Sequence, residues 1–166
     1  MKLYHGSLVA VESPKILPRP LKKTCDFGIG FYTTTSQEQA RRWVRVKLLQ
    51  EKNGAKSGFV SEYECSDKIL TDKSLKVLVF KKADKRWLDF VIQNRRNPNF
   101  DHGYDLVFGP VANDRVYTTI NLYESGLFDI NTTLRELKTY KLVDQILFHT
   151  EKSLERLTFI KAEEIE

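Results

Sequence analysis

A chain of 166 residues is long enough to bury a real core as one domain, without metal or disulfide staples. Its 41% hydrophobic and 11% aromatic content excludes a disordered tail, and no apolar run approaches the length needed to cross a bilayer. The net charge of +5 is carried by clusters such as Lys22-Lys23, Arg41-Arg42-Arg45-Lys47, Lys81-Lys82-Lys85-Arg86 and Arg95-Arg96. These suit polyphosphates, nucleic acid or an acidic partner, or else a solvated surface of mixed charge.

The opening Met-Lys-Leu-Tyr-His carries no apolar signal segment. Cys25 and Cys65 lie too far apart for zinc or redox spacing and read as free thiols, so the expected compartment is the cytoplasm. Lys2 to His5 predicts a short strand ending at Gly6-Ser7. From Val9 to Asp26 the chain carries Pro14, Pro18 and Pro20, which remove backbone donors, so a long loop is expected, placed to act as a lid. Asp26-Phe27-Gly28-Ile29-Gly30 then reads as a glycine turn leading into a strand from Phe31 to Thr35.

Ser36 with Gln39 predicts a capped helix through Ala40, Trp43, Val44 and Leu48, ending at Asn53-Gly54, with Trp43 in the core. Strands are expected at Ser57 to Cys65 and Lys76 to Phe80, then a helix capped by Asp84 with Trp87, Phe90 and Val91 on one face. Tyr104 to Phe108 reads as a buried strand stopped by Gly109-Pro110. Asn113 or Asp114 caps a helix running to Gly126, and Leu134 to Tyr140 predicts another. Val143 to His149, a helical turn at Glu151 to Leu157 and a strand at Thr158 to Lys161 complete the chain. Such irregular mixing of strands and helices predicts a single α+β domain over residues 1–166 rather than a doubly wound sheet.

Three stretches carry candidate chemistry: His5-Gly6-Ser7, Gly28-Ile29-Gly30-Phe31-Tyr32 and Asp144-Gln145-Ile146-Leu147-Phe148. In order and character they resemble the three motifs of ADP-ribosyltransferases of the diphtheria-toxin and poly(ADP-ribose) polymerase branch. The chain looks like a small bacterial member of this type, and Tyr104 to Asp114 is similar to the same group. The resemblance implies two small packed, mostly antiparallel sheets flanked by short helices, with an NAD cleft between them. It implies mono-ADP-ribosyl transfer from NAD to a protein or nucleic acid, in the setting of a bacterial toxin–antitoxin or phage-defence pair with an antitoxin as partner. No metal and no membrane enter this picture.

By the same resemblance His5 holds a ribose hydroxyl on the adenosine side, Gly6 clamps the nicotinamide carboxamide, Ser7 adds a bond to it, and Tyr32 stacks on the pyridine ring. Gly28, Gly30, Phe31 and Thr33 complete the cofactor-binding set. The family's catalytic glutamate is here Gln145, which can orient a hydroxyl but supplies no negative charge and takes no proton. Asp114 is the first candidate for a replacement carboxylate, and Glu151 the second. The rival readings are NAD hydrolysis and a non-catalytic module binding NAD, ADP-ribose or RNA. His102 and His149 have no metal-ligand spacing and are given no role.

Overall fold

The computed structural model describes residues 1–18, 25–52 and 54–166. Among them, the strands are β1 (Lys2–Ser7), β2 (Phe31–Thr34), β3 (Gly58–Glu64), β4 (Val77–Val79), β5 (Leu106–Pro110), β6 (Asp144–Phe148) and β7 (Thr158–Ile165). The helices are α1 (Gln37–Gln50), α2 (Lys85–Arg96), α3 (Asp114–Glu124), α4 (Ile130–Lys138) and the one-turn α5 (Glu151–Leu154), with a 3-10 turn at Ile69–Thr71. The fold is α+β, built on one sheet in the order β4-β5-β6-β2-β1-β3-β7. Its pairs are antiparallel except β4 with β5.

Helix starts follow local chemistry. The side chains of Ser36, Asp84, Asn113 and Asp129 each accept the backbone N–H three residues on, satisfying a donor that the first turn leaves unpaired. At α5, Thr150 and Ser153 cap reciprocally. Along β5 and β6 successive side chains enter opposite cores, as the twofold strand period requires. Val107 and Leu147 join Trp87, Leu88, Val91, Val116, Ile120 and Leu137 of α2, α3 and α4. Leu106, Ile146 and Phe148 join Leu3, Phe31, Tyr63 and Leu154 on the other face.

The expectation for Trp43 is corrected: it is 43% exposed, under the Lys47 ammonium. α1 instead buries Ala40 and Val44. The sheet dictates this choice, because a Cβ on Gly6 would sit 2.4 Å from the Ala40 carbonyl oxygen, and one on Gly58 2.6 Å from Val44. A helix that close to the sheet has no room for an indole on its inner face. Three strand and helix ends also move. β5 runs on through Gly109-Pro110, where β4 has already ended and proline's missing donor is tolerated. α4 begins at Ile130, and β7 continues to Ile165.

The sheet is one by its ladders but nearly parts in the middle. β1 pairs with β3 from Lys2↔Glu64 to Ser7↔Phe59, and β2 with β6 from Phe31↔Phe148 to Thr34↔Gln145. β1 and β2 share only Tyr4↔Thr34. The single sheet is thus joined between its two half-sheets, β1-β3-β7 and β2-β6-β5-β4, at a seam where only this one position is paired.

Candidate functional site

The glycine turn enters β2 directly beside this seam, and it is held by side chains from remote elements. The Phe27 carbonyl is bonded by His102 Nε2 at 2.9 Å, Gly28 by the Tyr32 hydroxyl at 2.7 Å and Ile29 by His149 Nδ1 at 2.5 Å. The Tyr32 hydroxyl also accepts the Phe27 N–H at 3.1 Å. Glycine is required twice: Gly28 has φ +93° with Asn94 Oδ1 2.8 Å from a Cβ position, and Gly30 has φ +151° with the Phe148 carbonyl oxygen 2.4 Å away. His102 and His149, given no role by spacing, are thus the clamps of this turn. No local signal marks them, since long-range strand pairing brings them together.

His5 sits in the seam itself. Its Nδ1 lies 2.7 Å from the Tyr32 carbonyl oxygen and its ring packs on Phe31, centroids 4.4 Å apart. The carbonyl can only accept, so Nδ1 carries the proton and Nε2 is left with a lone pair. Burial holds the His5 pKa down to about 4 from 6.5, against the hydrogen bond to Tyr32, with Lys47 adding to the lowering. Among the described residues Nε2 has no hydrogen-bond partner.

Tyr32 and Gln145 lie on the opposite face of the sheet. Tyr32 pairs with Leu147 and packs with the helical core, and Gln145 pairs with Thr34. Gln145 Nε2 lies 3.4 Å from Asp26 Oδ2, while Tyr117 donates to Asp26 Oδ1 at 3.2 Å. The Arg95 guanidinium stacks on the Tyr117 ring at 4.5 Å, and its Nη1 is buried without a hydrogen-bond partner among the described residues. Burial raises the pKa of Asp26, opposed by Gln145, Arg95, Tyr117 and the Ala112 backbone. Burial also pushes the Tyr117 and Tyr32 phenols upward.

The other sequence candidates distribute as follows. The Gly6 carbonyl accepts from Lys47 Nζ at 3.1 Å, and Ser7 Oγ donates to the Val9 carbonyl at 2.5 Å, so both are engaged within the protein. Phe31 is core, between His5 and Tyr63. Thr33 is buried with its hydroxyl on the Ile146 carbonyl. Glu151 is exposed at the first turn of α5. The Asp114 side chain lies outside the described residues, as does the stretch 19–24 of the expected lid. The start of that loop is tied to β3: Ser61 Oγ accepts from the Val11 N–H at 3.0 Å, and the Tyr63 hydroxyl donates to the Val11 carbonyl. Cys65 is a buried free thiol.

One cluster has metal-ligand character: Asp101, His102 and His149 each offer a ligand atom within 4.8 Å of the others. The His102 and His149 rings stack at 4.3 Å. His102 spends Nε2 on Phe27 and takes the Tyr104 N–H on Nδ1 at 3.1 Å, so an ion would have to displace a backbone bond. Its pKa is held down to about 4, by burial first and then by His149.

A pH dependence of stability follows. His5 and His102 stay neutral in the fold but take up protons on unfolding below the ordinary imidazole value of 6.5. Their contribution is fully present above pH 6.5 and is lost as pH falls toward 4. Urea midpoints are expected to drop across that window, and His102→Gln to flatten the drop. An unchanged midpoint from pH 7 to 4.5 would contradict this account of the clamps.

Two grooves lie away from the seam: one of about 660 Å³ between α2 and α3, lined by Ile92, Arg96, Tyr123 and Phe128, and a smaller one around Ile69 and Arg156. No described helix is long and apolar enough to cross a membrane. Fold and site together define an α+β domain whose split sheet carries a histidine at the seam and a buried Asp–Gln–Tyr cluster behind it. The chain belongs to the family described as "Protein of unknown function (DUF3990)", whose model matches residues 1–159. No curated protein and no solved structure matches the chain.

Proposed function

We propose that the protein is an NAD-dependent mono-ADP-ribosyltransferase with the dinucleotide bound through the seam between β1 and β2. The observation that carries this reading is His5: a neutral imidazole fixed through Nδ1 at the point where the two strands part, with Nε2 free of protein partners among the described residues. A lone pair held in that position suits a ribose hydroxyl. On this reading a ligand seated at the seam would meet groups of both faces, His5 from one side and Tyr32 with Gln145 from the other. The two half-sheets take the part of the packed sheets that flank the cleft, and NAD is a co-substrate rather than a resident cofactor.

Chemically, the bond between nicotinamide and its ribose breaks with its electron pair leaving on the neutral ring. Positive charge develops on the sugar, and the acceptor's lone pair closes onto it. Binding must therefore favour the separated, cationic arrangement over intact NAD. A macromolecular target in a toxin–antitoxin or phage-defence setting, held in check by an antitoxin protein, belongs to the same proposal. The basic clusters favour a nucleic-acid acceptor.

Incubation with NAD labelled in its adenylate moiety, alongside bacterial RNA, DNA and protein, tests the reading. Label on a macromolecule is expected. Free labelled ADP-ribose instead indicates hydrolysis, and intact NAD with saturable binding indicates a binding module. Intact NAD with no binding removes the proposal.

A further inference from the structure

Gln145 lacks the charge the chemistry calls for, and the structure places a carboxylate against it from an unexpected quarter. Asp26, the residue preceding the glycine turn, is 6% exposed and Gln145 8%. Asp26 Oδ2 lies 3.4 Å from Gln145 Nε2, and its other oxygen takes the Tyr117 hydroxyl at 3.2 Å. Burial raises the Asp26 pKa, and the contacts with Gln145, Arg95, Tyr117 and the Ala112 backbone oppose that rise. Glu151, exposed at the first turn of α5, is not in this contact set. We propose that Asp26 is a positioning residue for NAD cleavage: its carboxylate holds the Gln145 amide N–H₂, so that the Gln145 carbonyl oxygen faces the sugar that becomes cationic. This inference rests on the transferase reading above.

The arrangement explains how a carboxamide serves where a carboxylate is expected. A carboxylate accepting from one end of an amide draws positive character to the nitrogen and leaves more negative charge on the oxygen. Among the described residues that oxygen has no hydrogen-bond partner. In the reaction the glycosidic C–N bond breaks, its electron pair leaves with neutral nicotinamide, and the acceptor adds its lone pair to the sugar carbon and releases its proton to solvent. Asp26 gains and loses no proton; it fixes the dipole that faces the developing charge. A buried carboxylate is also a poor choice for stability. A carboxyl whose pKa is raised in the fold stabilises the protein below its ordinary pKa and loses that contribution as pH rises through the folded value. Asp26→Asn is therefore expected not to lower the melting temperature at pH 7.

The test uses the full chain and four proteins: wild type, Asp26→Asn, Gln145→Glu and the double variant. Asp26→Asn is expected to lower kcat for NAD consumption on the order of 10- to 100-fold with KM changed less than about threefold. Adding Gln145→Glu to it is expected to restore kcat, because the charge then stands at position 145 itself. Gln145→Glu alone sets two carboxylates in contact, which cannot both ionise freely, so its pH–rate profile gains a new ionisation above the ordinary carboxylate range. Wild-type kcat in Asp26→Asn, a loss seen only as a fall in melting temperature, or no rescue in the double variant overturns the role of Asp26. Failure of wild type to bind NAD in a calorimetric titration overturns the transferase reading as well, and is distinct from all three.

Discussion

Gly30→Ala is expected to cost about 4 kcal/mol of folding stability, a large share of the roughly 5–15 kcal/mol that holds an ordinary domain together. Two costs add at this position. The backbone sits at φ +151°, which an L side chain rarely adopts, and the new methyl would lie 2.4 Å from the Phe148 carbonyl oxygen and 3.1 Å from His149 Cα. Those neighbours are backbone atoms, so relief means shifting the chain where Phe31 first pairs with Phe148. The same shift pulls Ile29 from His149, releasing a clamp of the turn. Gly126 is the control: φ is +78°, and nothing described lies within 4 Å of its Cβ position. Gly126→Ala should cost only about 1 kcal/mol, the penalty of the left-handed conformation alone. Urea denaturation of the two variants reads the difference directly, and equal losses would mean that the Gly30 contact is absent in solution.

Elements set by local chemistry were readable in the sequence. Ser36, Asp84 and Asn113 each announce a helix, because a short polar side chain before an amphipathic run has an unpaired N–H to satisfy. What depended on remote partners was not readable. Trp43 reads as core by spacing, yet Gly6 and Gly58 bring α1 too close for an indole. β7 runs past Lys161 to Ile165 because an edge strand tolerates Lys161, Glu163 and Glu164, a usual edge composition. At the site, the turn glycines and the residues His5, Tyr32 and Gln145 stood out by motif. Asp26 lay in plain view beside the turn, but its burial against Gln145 and Tyr117 comes from the pairing of β2 with β6 and the packing of α3. His102 and His149 were silent for the same reason: each binds a carbonyl of a segment distant in sequence.

His5→Ala is expected to weaken NAD binding at least about 100-fold, an effect near 2.7 kcal/mol when each tenfold is about 1.4 kcal/mol. No single hydrogen bond supplies that much, since a neutral pair contributes only about 1 kcal/mol net. The remainder comes from the seam. Without the imidazole, the Tyr32 carbonyl loses its partner and the Phe31 ring loses its stacked neighbour, so the start of β2 is no longer set before the ligand arrives. His5→Asn separates the two contributions. A carboxamide can still donate to the carbonyl but is too short to reach the ligand as well, so the fold should recover more than the affinity does. Because burial keeps the imidazole neutral down to about pH 4, wild-type affinity should stay level from pH 8 to 5.5. Calorimetric titration across that range checks both points. Undiminished affinity in His5→Ala would remove the seam as the binding place, and a bend near pH 6.5 would show an imidazole open to water rather than one enclosed between β1 and β2.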